Sequence, residues 1–138
     1  MPRRTRWVQL VVLLATSTSL VVGAAVPAQA AKPKANTVFF DDLNGSAEGV
    51  GTVTLKTGAS RDKFTKVVVL AVCPDGSRTK KVFKNVPVTS SGTWGAQQGD
   101  WVVGGDIHQA NKINGTARNL SLCDNSWTGG PFTAKPKS

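Results

Sequence analysis

Thr65-Lys66-Val67-Val68-Val69-Leu70-Ala71-Val72-Cys73, followed at once by Pro74-Asp75-Gly76-Ser77, decides the fold. The run is β-branched and apolar on both parities, with a length that suits a strand and is short for a helix. Apolar residues on both faces predict a central strand covered on both sides. Pro74 presets a turn and Gly76 supplies a positive φ. Arg78 to Asn85 then reads as the returning strand of a hairpin. Its cations, Arg78, Lys80, Lys81 and Lys84, mark an exposed edge, where lysine discourages pairing with another chain.

Working outward, the same alternation of short β-like runs and turn residues continues. Thr37 to Asp41 carries Val38, Phe39 and Phe40 before the turn signal Asn44-Gly45-Ser46. Val50 to Lys56 sets Val53 and Leu55 on one face and Thr52 and Thr54 on the other, a period of two. Pro87 confines Val86 to Thr89 to a strand start or an edge. Thr93-Trp94-Gly95 and Trp101 to His108 follow. Gly104-Gly105 inside the latter predicts a bulge or a close backbone approach. Ile113 to Cys123 switches parity between Ala117 and Leu120, which a bulge at Arg118-Asn119 would produce. Pro131 to Ala134 is a candidate closing strand. No segment has convincing amphipathic helical spacing.

These runs predict an all-β chain of seven to eight short antiparallel strands. The expected architecture is a β-sandwich, immunoglobulin-like or a related Greek key, with a small β-barrel as the alternative. The order Cys73, Trp94, Cys123 suits a sandwich. An immunoglobulin domain, however, places its Trp sooner and a Tyr two residues before the second Cys, where this chain has Ser121.

Arg3, Arg4 and Arg6 precede an apolar stretch from Trp7 to Val26, and Ala28-Gln29-Ala30 follows. This is the pattern of a secretory signal peptide over residues 1–30, cleaved after Ala30. The stretch is long enough to span a bilayer, so a retained anchor is the competing reading. Residues 31–36 read as a mobile basic leader, 37–134 as one β domain and 135–138 as a basic tail. The expected location is extracellular, with no membrane association after cleavage. Export also places Cys73 and Cys123 in an oxidising compartment, and two cysteines allow one intramolecular disulfide.

The 138 residues hold 17 Lys and Arg against 8 Asp and Glu, with a single Glu48 and a single His108. Most acid–base and metal-ligand sets cannot be assembled from that inventory. Asp106 and His108 share a strand face at i and i+2, but no third ligand is near in sequence. Asp41-Asp42 point to opposite faces, and no G-x-S-x-G occurs. No enzyme activity, metal or cofactor is expected.

Two features remain for binding. Trp94, Trp101 and Trp127 are a candidate aromatic surface of the kind that stacks on sugar rings, with core filling as the competing reading. Residues 56–84 carry a local charge of +6, while 85–134 carry −1. Lys63, Lys66, Lys80, Lys81 and Lys84 are therefore the candidate anion-binding set, for an anionic wall polymer or glycan. Aromatic interleaving is limited to Phe64 and Phe83, so no specific nucleic-acid readout is expected. The function this supports is a secreted, non-catalytic binding domain. Its alternatives are a carbohydrate or wall-polymer binding module, or an inhibitor of an extracellular enzyme presenting Ser90 to Gln98.

Gly92-Thr93-Trp94, Gly105-Asp106-Ile107, Ile113-Asn114-Gly115-Thr116, Cys123-Asp124-Asn125-Ser126 and Phe132-Thr133-Ala134-Lys135 form a series. Through it the C-terminal half resembles small exported single-disulfide proteins of high-GC Gram-positive bacteria. The resemblance implies a compact β-sandwich and assigns no activity.

Overall fold

A computed structural model of the chain describes residues 31–43, 50–127 and 129–138. The signal-peptide reading and the Asn44-Gly45-Ser46 turn fall outside the described residues.

The described residues form β1 (Val38–Asp42), β2 (Gly51–Thr57), β3 (Lys63–Val72), β4 (Arg78–Pro87), β5 (Thr93–Gln98), β6 (Trp101–Gln109), β7 (Lys112–Asn119) and β8 (Gly130–Pro136). All pairings are antiparallel, in the order β4-β3-β2-β1-β8-β7-β6-β5. Read as a ring, each strand lies beside its neighbours in sequence, and β8 closes onto β1 through Phe39–Pro136 and Phe40–Lys135. The ring is incomplete between β4 and β5, where one bridge, Val88–Trp94, joins the two edges. The result is an up-and-down sheet nearly closed into a barrel. The small-barrel alternative fits it, and the expected Greek-key or immunoglobulin-like connections do not occur.

Eight strands enclose a space that side chains can fill. Phe39, Leu55, Phe64, Val67, Val69, Ile107 and Ile113 are wholly or almost wholly buried there. On β3 the inward row is Val67, Val69 and Ala71, whereas Val68, Leu70 and Val72 are half-buried on the outside. The β3–β4 turn forms as read, with Gly76 at a φ of +87° and the Ser77 amide and hydroxyl both donating to Asp75 Oδ1.

The ends of the barrel are covered by residues 31–36, ahead of β1, and 120–127, between β7 and β8. The segment read as a mobile leader crosses one end. Ala31 N donates to Ile107 O, Lys34 N donates to Ala110 O, Arg61 Nε donates to Pro33 O, and Pro33 is buried. Lys32 also pairs with Asp62 at 2.5 Å. These bonds tie 31–36 to the β2–β3 and β6–β7 loops. The basic tail is likewise partly structural, since β8 runs on to Pro136 and Lys137 N donates to Val38 O.

At the other end β7 stops at Asn119, and residues 120–127 turn across the opening. There is no bulge at Arg118-Asn119. Ile113, Ala117 and Asn119 keep one buried parity, and the chain then leaves the sheet with Leu120 exposed. The disulfide Cys73–Cys123, with a Cα–Cα distance of 5.5 Å, fastens this turn to the end of β3. It joins two loop residues, because Cys73 lies just past the last residue of β3 and Cys123 lies in the 120–127 turn.

Candidate anion-binding face

Because Val53, Leu55, Val67, Val69 and Phe83 point inward, their sequence neighbours point outward. Register then decides which outward side chains meet. Lys56 lies opposite Lys66, and Lys66 opposite Lys84. Three lysines thus stand side by side across β2, β3 and β4. Toward the disulfide end the next outward row is Thr54, Val68 and Val82, then Thr52, Leu70 and Lys80, then Val72 and Arg78. On β1 the outward residues are Val38, Phe40 and Asp42, and Lys135 of β8 lies opposite Phe40. Lys137 places its Nζ 5.3 Å from the centre of the Phe40 ring.

One outward face therefore gathers Lys56, Lys66, Arg78, Lys80, Lys84, Lys135 and Lys137, all exposed, against one carboxylate among the described residues, Asp42. Among the described residues the one ion pair is Lys32–Asp62, away from this face. Like charges directly opposite on neighbouring strands destabilise a sheet. The lysine row opposes the fold instead of supporting it. Between the cations, Val68, Leu70 and Val82 are half-buried on the outer face, with Thr52 and Thr54 of β2 and Lys80 of β4 among their cross-strand neighbours, which places a partly apolar strip beside the charges.

Of the five lysines singled out from sequence, the structure puts Lys66, Lys80 and Lys84 on this face, with only Lys66 and Lys84 side by side. Lys81 is turned to the opposite side of β4, across from Val69, with its Nζ 6.0 Å from the centre of the Phe83 ring. Lys63 sits at the start of β3 opposite Pro87, beyond the register shift that follows Lys56. Lys56, Lys135 and Lys137 were not in that set. Lys56 had a signal, since the alternation that buries Val53 and Leu55 sends it outward. Lys135 and Lys137 join only because β8 pairs with β1.

The candidate aromatic surface does not exist. Trp94, Trp101 and Trp127 have relative exposures of 5%, 9% and 0%. Trp94 meets Phe64 edge-on at 5.2 Å and donates from Nε1 to Asn114 O. Its ring fits because position 115 is Gly: a Cβ there would lie 2.8 Å from Trp94 Cζ2 and 2.7 Å from Phe132 Cζ. At Gly105 a Cβ would lie 2.1 Å from Asn114 O, which is the close backbone approach that Gly104-Gly105 announced. Trp127 packs on Trp101 at 5.8 Å and donates from Nε1 to Val50 O at 3.0 Å, plugging the end beneath the 120–127 turn.

Asp106 and His108 lie outward on β6, and no group of three potential metal ligands is found among the described residues. Of Ser90 to Gln98, only the first part is a turn, because Thr93–Gln98 is β5. An open cleft of about 520 Å³ lies beside the disulfide, lined by Asp75, Thr79, Ser121 and Asp124. Its Asp75 carboxyl is held below the usual carboxylate range by the Ser77 hydroxyl and amide. No family model, curated protein or solved structure matches the chain.

Proposed function

We propose that the chain is an exported, non-catalytic domain that binds anionic polymers, such as wall polymers or acidic glycans, on the outward face of β8, β1, β2, β3 and β4. The observation that carries this reading is the unpaired row Lys56–Lys66–Lys84, set among four further cations on one face. A solvated edge kept soluble by lysine needs charge but no alignment, and like charges in register carry a cost that an anionic ligand would remove. The filled interior, covered at both ends, favours an outer face over the barrel lumen as the binding surface. Export is part of the same proposal. It rests on the Arg-led apolar leader, the disulfide and the resemblance to exported single-disulfide proteins of high-GC Gram-positive bacteria.

The test is binding to heparin and to teichoic-type polymer over a salt series. Affinity should fall steeply with salt. Replacing Lys66, Lys80 and Lys84 with Gln should remove most of it, while replacing Lys34, Lys112 and Arg118 should leave most of it. Equal loss in both triple variants would show binding that follows net charge alone and would end the proposal.

A further inference from the structure

The direction in which cations follow one another on the face carries more than their number. Along β3 the outward residues are Lys66, Val68, Leu70 and Val72, so charge is not continued along the strand. Across the strands, Lys84, Lys66 and Lys56 follow without a gap. Neighbouring strands are ~4.8 Å apart, so the three amines are rooted over a track of roughly 10 Å perpendicular to the strands. The other cations of the face are remote from it. Lys80 is four residues from Lys84 on the same strand, roughly 13 Å, and Arg78 is farther still. Lys135 lies two strands and one outward row from Lys56, and Lys137, whose N–H donates to Val38 O opposite Lys56, lies two strands away in the same row, roughly 10 Å. Each is more than one Debye length, ~8 Å at 0.15 M salt, from the nearest track lysine.

The side-chain chemistry narrows the ligand. Carboxylates are recognised best by the planar fork of arginine, which binds both oxygens at once. The track has no arginine. Three compact ammonium groups on flexible stems suit anions that accept point charges from several directions and recur at short intervals, as phosphate groups along a linear polymer do.

Building on the polyanion-binding reading, we infer that Lys56, Lys66 and Lys84 form a track for a linear phosphate-bearing polymer laid across β2, β3 and β4. The remaining cations of the face steer the polymer from a distance but do not hold it. A ligand must carry at least three phosphates to occupy the track. The ligand also relieves the lysine repulsion, so it stabilises the fold that it binds.

The experiment uses the mature chain at 0.15 M salt, with pyrophosphate, tripolyphosphate and long-chain inorganic polyphosphate as probes. Poly-glutamate of matched charge and anionic phospholipid vesicles are the comparison ligands. Isothermal titration should show a rise of about fivefold from pyrophosphate to tripolyphosphate, the size of one further charge pair, with little gain per site beyond it. The triple variant Lys56→Gln/Lys66→Gln/Lys84→Gln should lose about 100-fold for tripolyphosphate, on the scale of three charge pairs at ~1 kcal/mol each in water. Arg78→Gln/Lys80→Gln/Lys135→Gln, with the same net charge, should lose no more than about threefold, because its sites are screened from the track. Lys66→Gln alone should raise the thermal midpoint at low salt and shrink the further rise on adding tripolyphosphate. That readout stands even if a triple variant folds poorly.

Equal losses in the two triple variants would overturn the track and leave a diffuse anion-binding face, with the proposed function intact. Poly-glutamate binding as tightly as polyphosphate would overturn the phosphate class. Preference for vesicles would replace the polymer by a membrane surface. Absence of binding to every polyanion, even at 0.05 M salt, would remove the proposed function along with the track.

Discussion

Cutting the Cys73–Cys123 bond is the perturbation whose size follows most directly from the structure. The two residues are 50 apart in sequence, and their Cα atoms lie 5.5 Å apart, well inside the span a disulfide accepts. On the chain-entropy account, releasing a closed loop of that length gives the unfolded chain ~4 kcal/mol of extra freedom at 25 °C. A domain with ~5–15 kcal/mol in total loses a large share of its stability. Cys73→Ala/Cys123→Ala is the variant of choice, since serine would place a hydroxyl at the buried Cys73 position. Urea unfolding at pH 7 should give a stability lower by ~3–5 kcal/mol than the oxidised wild type. The thermal midpoint should fall by at least about 15 °C. The slope of stability against urea should rise, because an uncrosslinked unfolded chain exposes more surface. Reduced wild-type protein should match the variant within ~1 kcal/mol, as only small side-chain differences separate them. A loss below ~1 kcal/mol with an unchanged slope would refute the loop-closure reasoning.

Three further outcomes follow from contacts inside the barrel and on its rim. Trp127→Phe should cost roughly 2–4 kcal/mol by urea unfolding, because it leaves the Val50 carbonyl without its indole donor and opens space beneath the plug. Gly115→Ala should cost ~1–3 kcal/mol by overpacking against Trp94 and Phe132. Gly76→Ala, with open space but a φ of +87°, should cost only its backbone strain of ~1–2 kcal/mol. Asp62 is held below the usual carboxylate range by its hydrogen bond to Lys32 and then by that ammonium's charge, and Asp75 is lowered by Ser77. A depressed folded-state pKa stabilises above the unfolded value and is lost as pH falls through the folded one. Stability should therefore be level near neutrality and decline below about pH 4. Carboxyl NMR titration should show Lys32→Ala raising Asp62 and leaving Asp75 unchanged.

The hairpins and their turns were legible because period-two alternation and turn chemistry are local. Val53 and Leu55 point inward as read, and Gly76 turns the chain as read. Closure was not legible, because nothing local in Val38–Asp42 or Gly130–Pro136 says that the first strand pairs with the last. The apolar run Val67 to Val72 suggested cover on both sides. Its outer row is instead half-buried between Thr52 and Thr54 of β2 and Lys80 and Val82 of β4, neighbours that a single strand's pattern cannot reveal. The tryptophans were ambiguous because each has small or polar neighbours. Gly115, twenty-one residues after Trp94, provides the hole for its ring only once β5, β6 and β7 are packed. Of the binding face, the excess of positive charge was readable. The alignment of Lys56, Lys66 and Lys84 was not, since it depends on the register of two successive hairpins.

The almost-closed ring has a consequence for the order of folding. Every strand pairing except β1–β8 joins sequence neighbours, so strands can zip up one hairpin at a time at low loop-closure cost. Joining Phe39 to Pro136 spans nearly all of residues 31–138 and comes last. The gap between β4 and β5 gives the rolling sheet slack, so its two ends can meet without every strand arriving at once. A Cys73–Cys123 bond formed before that moment tethers the β3 end of the first four strands to the approach of β8. It shortens the search for the last pairing. Refolding of the oxidised chain is therefore faster than that of the reduced chain, and the difference lies in the closing step rather than in the hairpins.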